Sequence, residues 1–237
     1  METLAIVLLT ANTKPKRLGY AEATLTSTLE RLRCTSCNVK LHIGDDGSGS
    51  VYQNHLRMLA DECGFGDVTL TDSGRTGYGA NYNLAMQYAH NELRADYLLP
   101  LEDDWELNRP SGFDVDPIIQ VLRDGVFDSV RLGYIGYTQK LVAEFVYCND
   151  RHWLLLDPEL SHEPHVFSGH PRIETVAYQQ RVGPWPTGLT PGETEWAIAS
   201  RPEYRAARSR VAWPIGLEGC MDMKHGPFEH IGTVKSY

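Results

Sequence analysis

The chain lacks what would tie it to a polyanion, a bilayer or an oxidising compartment. Basic residues are outnumbered, 22 Lys and Arg against 31 Asp and Glu, for a formal charge of −9. A broad grip on nucleic acid needs a clustered excess of cations to displace counterions, so that class is disfavoured, although a local basic groove is compatible with the balance. No apolar run approaches bilayer length. The strongest near the N-terminus, Leu4 to Leu9, has no basic segment before it and runs into Thr13-Lys-Pro-Lys-Arg17. It reads as a buried strand, and the expected location is cytoplasmic. The five cysteines are odd in number, and Cys34-Thr-Ser-Cys37 is a lone C-x-x-C without a second pair. A disulfide framework and a zinc ribbon are therefore disfavoured, and these read as ordinary thiols. Internal repeats and low-complexity tracts are absent as well.

What remains is a globular composition. The chain has 237 residues, 42% of them hydrophobic and 22% charged, with a mean hydropathy of −0.35. That is enough for one generous domain that needs no covalent staple. The first hundred residues alternate between strand-length apolar runs and helical periodicity. Leu4–Leu9, Val39–Ile43, Val68–Leu70 and Tyr97–Leu101 read as strands. Leu18, Ala21, Leu25, Leu29 and Leu32 share one helix face, and Tyr52, Leu56, Leu59 and Cys63 share another. A third helix, through Leu84, Ala85, Tyr88 and Ala89, follows the Gly-rich turn from Gly74 to Gly79. Such alternation builds βαβ units, hence a mostly parallel central sheet with helices on both faces. Ligands of such sheets bind beyond the carboxyl ends of the strands. Those ends carry Thr10 and Asn12, Asp45 and Asp46, Asp72 to Arg75, and Glu102 to Asp104.

After residue 105 the pattern becomes mixed. A short helix is expected from Asp116-Pro117 through Leu122, then strands at Leu132–Tyr137, Glu144–Cys148, Trp153–Leu156 and His165–Phe167. A Pro/Gly/Trp loop, Gly183 to Gly188, precedes one helix expected from Pro191 to Ala207. The expectation is one unit, residues 1–237, of two fused halves: 1–108 and a smaller mixed half, 109–237. His162, His165, His170, Arg172 and Glu174 cluster ahead of the Pro/Trp loop, either as acceptor-side polar contacts or as plain loop polarity. The Trp residues at 153, 185, 196 and 213 suit core packing or sugar stacking, and Trp153 among leucines suits the core.

Two acidic segments carry chemistry. Glu102-Asp103-Asp104 closes a buried strand, and three adjacent carboxylates repel unless a cation or hydrogen bonds offset them. On an extended chain Glu102 and Asp104 point the same way and can share a hard divalent ion, which prefers oxygen ligands and leaves room for phosphates. Gly44-Asp45-Asp46-Gly47-Ser48 ends another strand in good turn formers, so it can serve as a plain turn or as a hydrogen-bonding site for a base or ribose.

Together these segments resemble those of GT-A-fold glycosyltransferases of the family 2 type. Asp45-Asp-Gly-Ser48 is similar to the D-D-G-S turn and Glu102-Asp-Asp104 to the D-x-D motif. Gly77-Tyr-Gly-Ala-Asn81, with Asn83, resembles the glycine-rich stretch between them. Ala80 stands where the family often has Arg, and Glu102 replaces the first Asp of D-x-D. The resemblance covers residues 3–108 well and the remainder loosely. It implies transfer of a sugar from a UDP- or GDP-linked donor to an acceptor hydroxyl, with inversion and with Mn2+ or Mg2+ as cofactor. It implies a donor site of Thr10, Asn12, Asp45, Asp46, Arg75, Gly77, Asn81 and Asp103. The implied metal ligands are Glu102 and Asp104, with a C-terminal His: His230, in a His-Ile-Gly segment, or else His225. It also implies a carboxylate base at the start of the helix opened by Thr190-Pro-Gly-Glu193-Thr-Glu195. Glu195 is favoured, because Glu193 sits where a capping box needs it. Protein, a modified nucleic-acid base, glycan and small molecule all stay open as acceptors. A nucleotidyltransferase is the enzymatic alternative, weakened by the lack of glycine after the first strand, and a non-catalytic nucleotide-sugar binder is the other.

Overall fold

The structure, a computed structural model, describes residues 1–134, 143–156, 169–205, 212–215 and 226–233. Its first half runs β1 (Thr3–Thr10), α1 (Pro15–Arg31), a short β2 (Leu32–Arg33), β3 (Asn38–Asp45), α2 (Ser50–Glu62), β4 (Thr69–Asp72), α3 (Tyr78–Asn91) and β5 (Tyr97–Glu102). There follow β6 (Trp105–Leu107), β7 (Phe113–Asp114), α4 (Asp116–Arg123), β8 (Ser129–Arg131), β9 (Gly133–Tyr134), β10 (Ala143–Cys148) and β11 (Arg151–Leu156). The last described elements are β12 (Arg172–Thr175), α5 (Val176–Val182), α6 (Pro191–Ala199), α7 (Pro202–Arg205), β13 (Ala212–Ile215) and β14 (Phe228–His230).

The central sheet has the order β10-β11-β13-β8-β12-β5-β1-β3-β4. The four strands foreseen in the first hundred residues form its parallel block, β5-β1-β3-β4, and β12 joins β5 antiparallel. From β1 the chain winds outward through β3 and β4, then returns to place β5 on the other side of β1. That reversal opens a crevice above the carboxyl end of β1. The register levels the three ends: Thr10 lies opposite Asp45 and Leu9 opposite Glu102.

All eight residues of β1 are buried, which is why it reads as an unbroken apolar run. Its side chains alternate between faces. Leu4, Ile6 and Leu8 join Leu25 and Leu29 of α1 and Tyr52 and Leu56 of α2. Ala5, Val7 and Leu9 join Tyr82, Ala85 and Met86 of α3 and Ile198 of α6. Each large aliphatic chain so buried contributes roughly 1.5–3 kcal/mol.

Several elements differ from expectation. The helix from Pro191 ends at Ala199, and Pro202 starts a separate α7, because proline lacks the N–H and its ring clashes with the preceding turn. Residues 132–137 were expected as one strand. Instead β8 and β9 flank Leu132, and 135–137 lie outside the described residues, as do His162, the 165–167 strand and His225. Helix α5 was not foreseen; Thr175 caps it by accepting from the Tyr178 N–H at 3.1 Å. Arg172 and Glu174 are not loop residues. They lie buried on β12, paired at 2.7 Å, with Arg172 also donating to the Tyr82 hydroxyl at 2.7 Å. Cys34 and Cys37 are free thiols in a turn held by Asp116, whose carboxylate accepts from the N–H groups of Thr35 and Ser36. Burial pushes the Cys34 thiol up to about 12.

His42, fully buried on β3, hydrogen-bonds the hydroxyls of Thr69 (2.9 Å) and Thr71 (3.0 Å) and stacks on Tyr88. Burial depresses its pKa from 6.5 to about 4. The unfolded chain therefore takes up a proton near pH 6.5 that the folded chain refuses until about 4. This contribution to stability is complete above pH 6.5 and is lost as pH falls toward 4, by about 3 kcal/mol in all. Urea unfolding across this range should show that loss in the wild type and a flatter profile in His42→Gln. Identical profiles would mean that His42 does not titrate on unfolding.

Candidate functional site

Thr10 ends β1 with its hydroxyl donating to Asp103 at 2.7 Å and bonded to the Tyr52 hydroxyl. The turn after β3 splits its two aspartates. Asp45 is fully buried and accepts from the Ser48 N–H and from Gln53 Nε2, both at 2.8 Å, so it anchors the turn from inside. Asp46 lines a cavity and accepts from the Ser73 hydroxyl at 2.6 Å and the Gly77 N–H at 3.2 Å. Asn12 meets the same turn, its N–H donating to Ser48 Oγ at 2.7 Å. Gly47 has φ 74° and lies against the Arg75 backbone. Arg75 is exposed and is not among the residues that line the cavity. Asn81, in the first turn of α3, donates to the Gly44 carbonyl at 2.9 Å. Its Oδ1 is buried without a hydrogen-bond partner, and the residue lines the cavity beside Gly77.

The three carboxyl groups after β5 have separate surroundings. Glu102 accepts from the Tyr78 hydroxyl at 2.6 Å. Burial, then repulsion from Asp104 and Glu195, pushes its pKa well above the ordinary carboxylate range. Gly169 packs so tightly on this pair that a Cβ there would overlap the Glu102 carboxyl. Asp103, fully buried, pairs with Arg17 and accepts from Thr10; burial raises its pKa to about 7 against the opposing pull of Arg17. Asp104 accepts from Arg17 Nη1 at 3.1 Å and lies 3.5 Å from His230 Nε2. Burial pushes Asp104 up, but His230 and Arg17 outweigh it and hold the carboxylate below its ordinary pKa.

His230 arrives on β14, which pairs antiparallel with β6 and sets His230 opposite Trp105. The next two residues complete the contact. The Ile231 N–H donates to the Asp104 carbonyl at 2.9 Å, and a Cβ on Gly232 would overlap the Asp104 carboxylate. Among the described residues no group of three or more His, Cys, Asp or Glu side chains is gathered for a metal. Asp104 and His230 are brought together, while Glu102 is engaged by Tyr78.

The opposite wall comes from the start of α6. Thr190 and Glu193 form a reciprocal capping box, Glu193 accepting from the Thr190 N–H at 2.9 Å. Glu195 lies deeper, accepting from the Gly169 N–H at 3.0 Å, close enough to Glu102 and Tyr78 to act on them electrostatically. An amide clasp holds the loop before α6: Asn83 donates to the Trp185 carbonyl (2.8 Å) and accepts from its N–H (2.7 Å). Trp185 stacks on Tyr82 at 4.1 Å between ring centroids. Between the two walls is a cavity of about 370 Å³, lined by Thr10, Arg17, Asp46, Asn81 and Glu102 on one side and Gly188 to Pro191 on the other. That size suits a small-molecule ligand.

Comparison with solved structures settles the architecture. The crystallised 1–349 fragment of S. aureus TarS superposes with a TM-score of 0.63 at 14% identity, over 97% of this chain and 60% of that one. GalNAc-T7 with UDP, GalNAc and Mn2+ gives 0.60 at 13% identity, over 100% and 45%. The mannosyltransferase PcManGT from Pyrobaculum calidifontis, with GDP-Man and Mn2+, gives 0.52 at 14%, over 92% and 58%. The fold is GT-A. The chain spans less than two thirds of the length of each of these proteins. No family model and no curated protein sequence matches it.

In this GT-A sheet the crevice lies where strand order and strand ends placed it. Two of its members were missed. Arg17 was read only as part of a basic segment, yet a cation in the first turn of a helix opposes the helix dipole, and that conflict was a usable signal. Tyr78 carried no signal, since its partner Glu102 stands 24 residues away on another element. Gly79 supports the same crevice: a Cβ there would overlap the Pro186 carbonyl of the clasped loop. Gly79→Ala should lower the melting temperature although alanine favours helix, the overlap costing about 1–3 kcal/mol. It should also raise hydrogen exchange across residues 183–190. Gly192→Ala, with open space around it, is the control that should change neither. Equal stability of the two variants would show that α3 does not brace this loop.

Proposed function

We propose that this protein is an inverting glycosyltransferase that moves a sugar from a nucleoside diphosphate to an acceptor hydroxyl. The observation that carries the reading is the cavity between the carboxyl ends of the parallel strands and the start of α6, where hydrogen-bonding groups for a nucleotide face a carboxylate-bearing helix. The relatives in fold that hold GDP-Man or UDP with GalNAc support it. Residues 1–108 form the donor half and 109–237 the acceptor half.

Asp46 and the unpartnered Oδ1 of Asn81 accept from base or ribose donors, with Thr10 and Gly77 in the same wall. Asp45 acts through the turn it anchors. A divalent ion of the Mn2+ or Mg2+ type fits Asp104 and His230, since Asp104 Oδ1 is buried without a hydrogen-bond partner beside an imidazole. When bound, such an ion supplies positive charge to the departing diphosphate. Glu195 takes the acceptor proton as the acceptor oxygen bonds to the anomeric carbon. The bond from that carbon to phosphate breaks, and its electron pair leaves with the nucleoside diphosphate. Attack from the face opposite the leaving group inverts the centre. Trp196 and Leu189, 54% and 41% exposed, give the acceptor an apolar ledge beside Glu195.

A panel of UDP- and GDP-linked sugars with Mn2+ or Mg2+, scored by nucleoside diphosphate release, should identify a donor that turns over. Donor binding without release under any acceptor would mark a binding protein instead. Glu195→Gln should cut turnover by about 10²–10⁴-fold with donor binding retained. Glu193→Gln should keep turnover, because glutamine also serves in a capping box. The opposite pattern would assign the base to Glu193.

A further inference from the structure

The donor cavity has an uneven charge. Asp46, Glu102 and Arg17 are its charged lining residues, so among the described residues of its wall Arg17 is the only cation. The carboxyl groups of Glu102 and the hydrogen-bonded Asp46 leave a wall rich in acceptor oxygens. A diphosphate entering it is repelled unless a positive group meets it.

Arg17 is placed for that. It sits in the first turn of the 17-residue helix α1; that turn holds no acidic residue, and the N-cap residue, Lys14, makes no side-chain capping hydrogen bond. Cations there oppose the helix dipole and are tolerated when an anion offsets them. The side chain is 6% exposed and fixed in orientation by Asp103 on one nitrogen and Asp104 on the other. Guanidinium is a planar fork that stays charged and can bond two oxygens at once. Asp103 and Asp104 thus aim a permanent cation into the cavity wall.

We infer that Arg17 is a resident phosphate-binding cation, through which the cavity holds a nucleoside diphosphate without a divalent ion. The inference rests on the nucleotide-sugar reading and is tested on binding alone. Calorimetry in EDTA with UDP, GDP, uridine and guanosine reads the phosphate contribution directly. The wild type should bind one diphosphate at least about tenfold more tightly than its nucleoside. Arg17→Met should lose that preference and keep the nucleoside affinity, and Arg17→Lys should keep part of it. A preference that survives in folded Arg17→Met overturns the inference, and so does a wild type with no preference in EDTA that regains one with Mn2+. Should Arg17→Met fail to fold, the wild-type comparison decides alone. No binding of nucleoside or diphosphate, with or without Mn2+, overturns the nucleotide reading and the inference with it.

Discussion

The compensation of three consecutive carboxyl groups at the end of β5 governs the arrangement around them. Asp103 and Asp104 are nearly shut off from water, where an unpaired charge costs several kcal/mol. The chain answers each group differently. Glu102 accepts from the Tyr78 hydroxyl, Asp103 takes Arg17 and Thr10, and Asp104 has both Arg17 and His230 beside it. Removing Arg17 would take the cation from both buried carboxylates at once, leaving Asp103 to Thr10 and Asp104 to His230, whereas exchanging one aspartate leaves the guanidinium a second partner. The pairs are therefore more sensitive on the basic side than on the acidic one.

This requirement binds distant segments together. α1 supplies Arg17, α3 supplies Tyr78, β14 supplies His230, and the backbone at Gly169 closes over Glu102. Gly169 and Gly232 are needed because carboxyl groups occupy the space of their missing side chains. The crevice is thus a by-product of packing four chain segments around one strand end, and its polar lining follows from the register that levels Thr10, Asp45 and Glu102.

The parallel block of the sheet was legible because its signal is local: β1 and β5 are continuous apolar runs, and α1 and α2 show their buried faces at three- and four-residue steps. The acidic strand end was legible for the same reason, since three adjacent carboxyl groups after an apolar run must be compensated locally. The second half resisted. β12 is buried through Arg172 and Glu174, charges that neutralise each other and so look like a loop in the sequence. α5 has only seven residues, too few for a periodic pattern to show. Arg17 was hidden because its partners stand more than eighty residues away.

The pairing of β14 with β6 has a consequence for synthesis. Strand β5 and its three carboxyl groups leave the ribosome more than a hundred residues before His230 does. Until then α1 is already present, so Arg17 serves Asp103 and Asp104 alone while the rest of the chain emerges. The acidic end is thus neutralised early by a partner from the same half, and its second partner arrives only after more than a hundred further residues. Synthesis thus separates in time the partner that secures the core from the one that finishes the crevice.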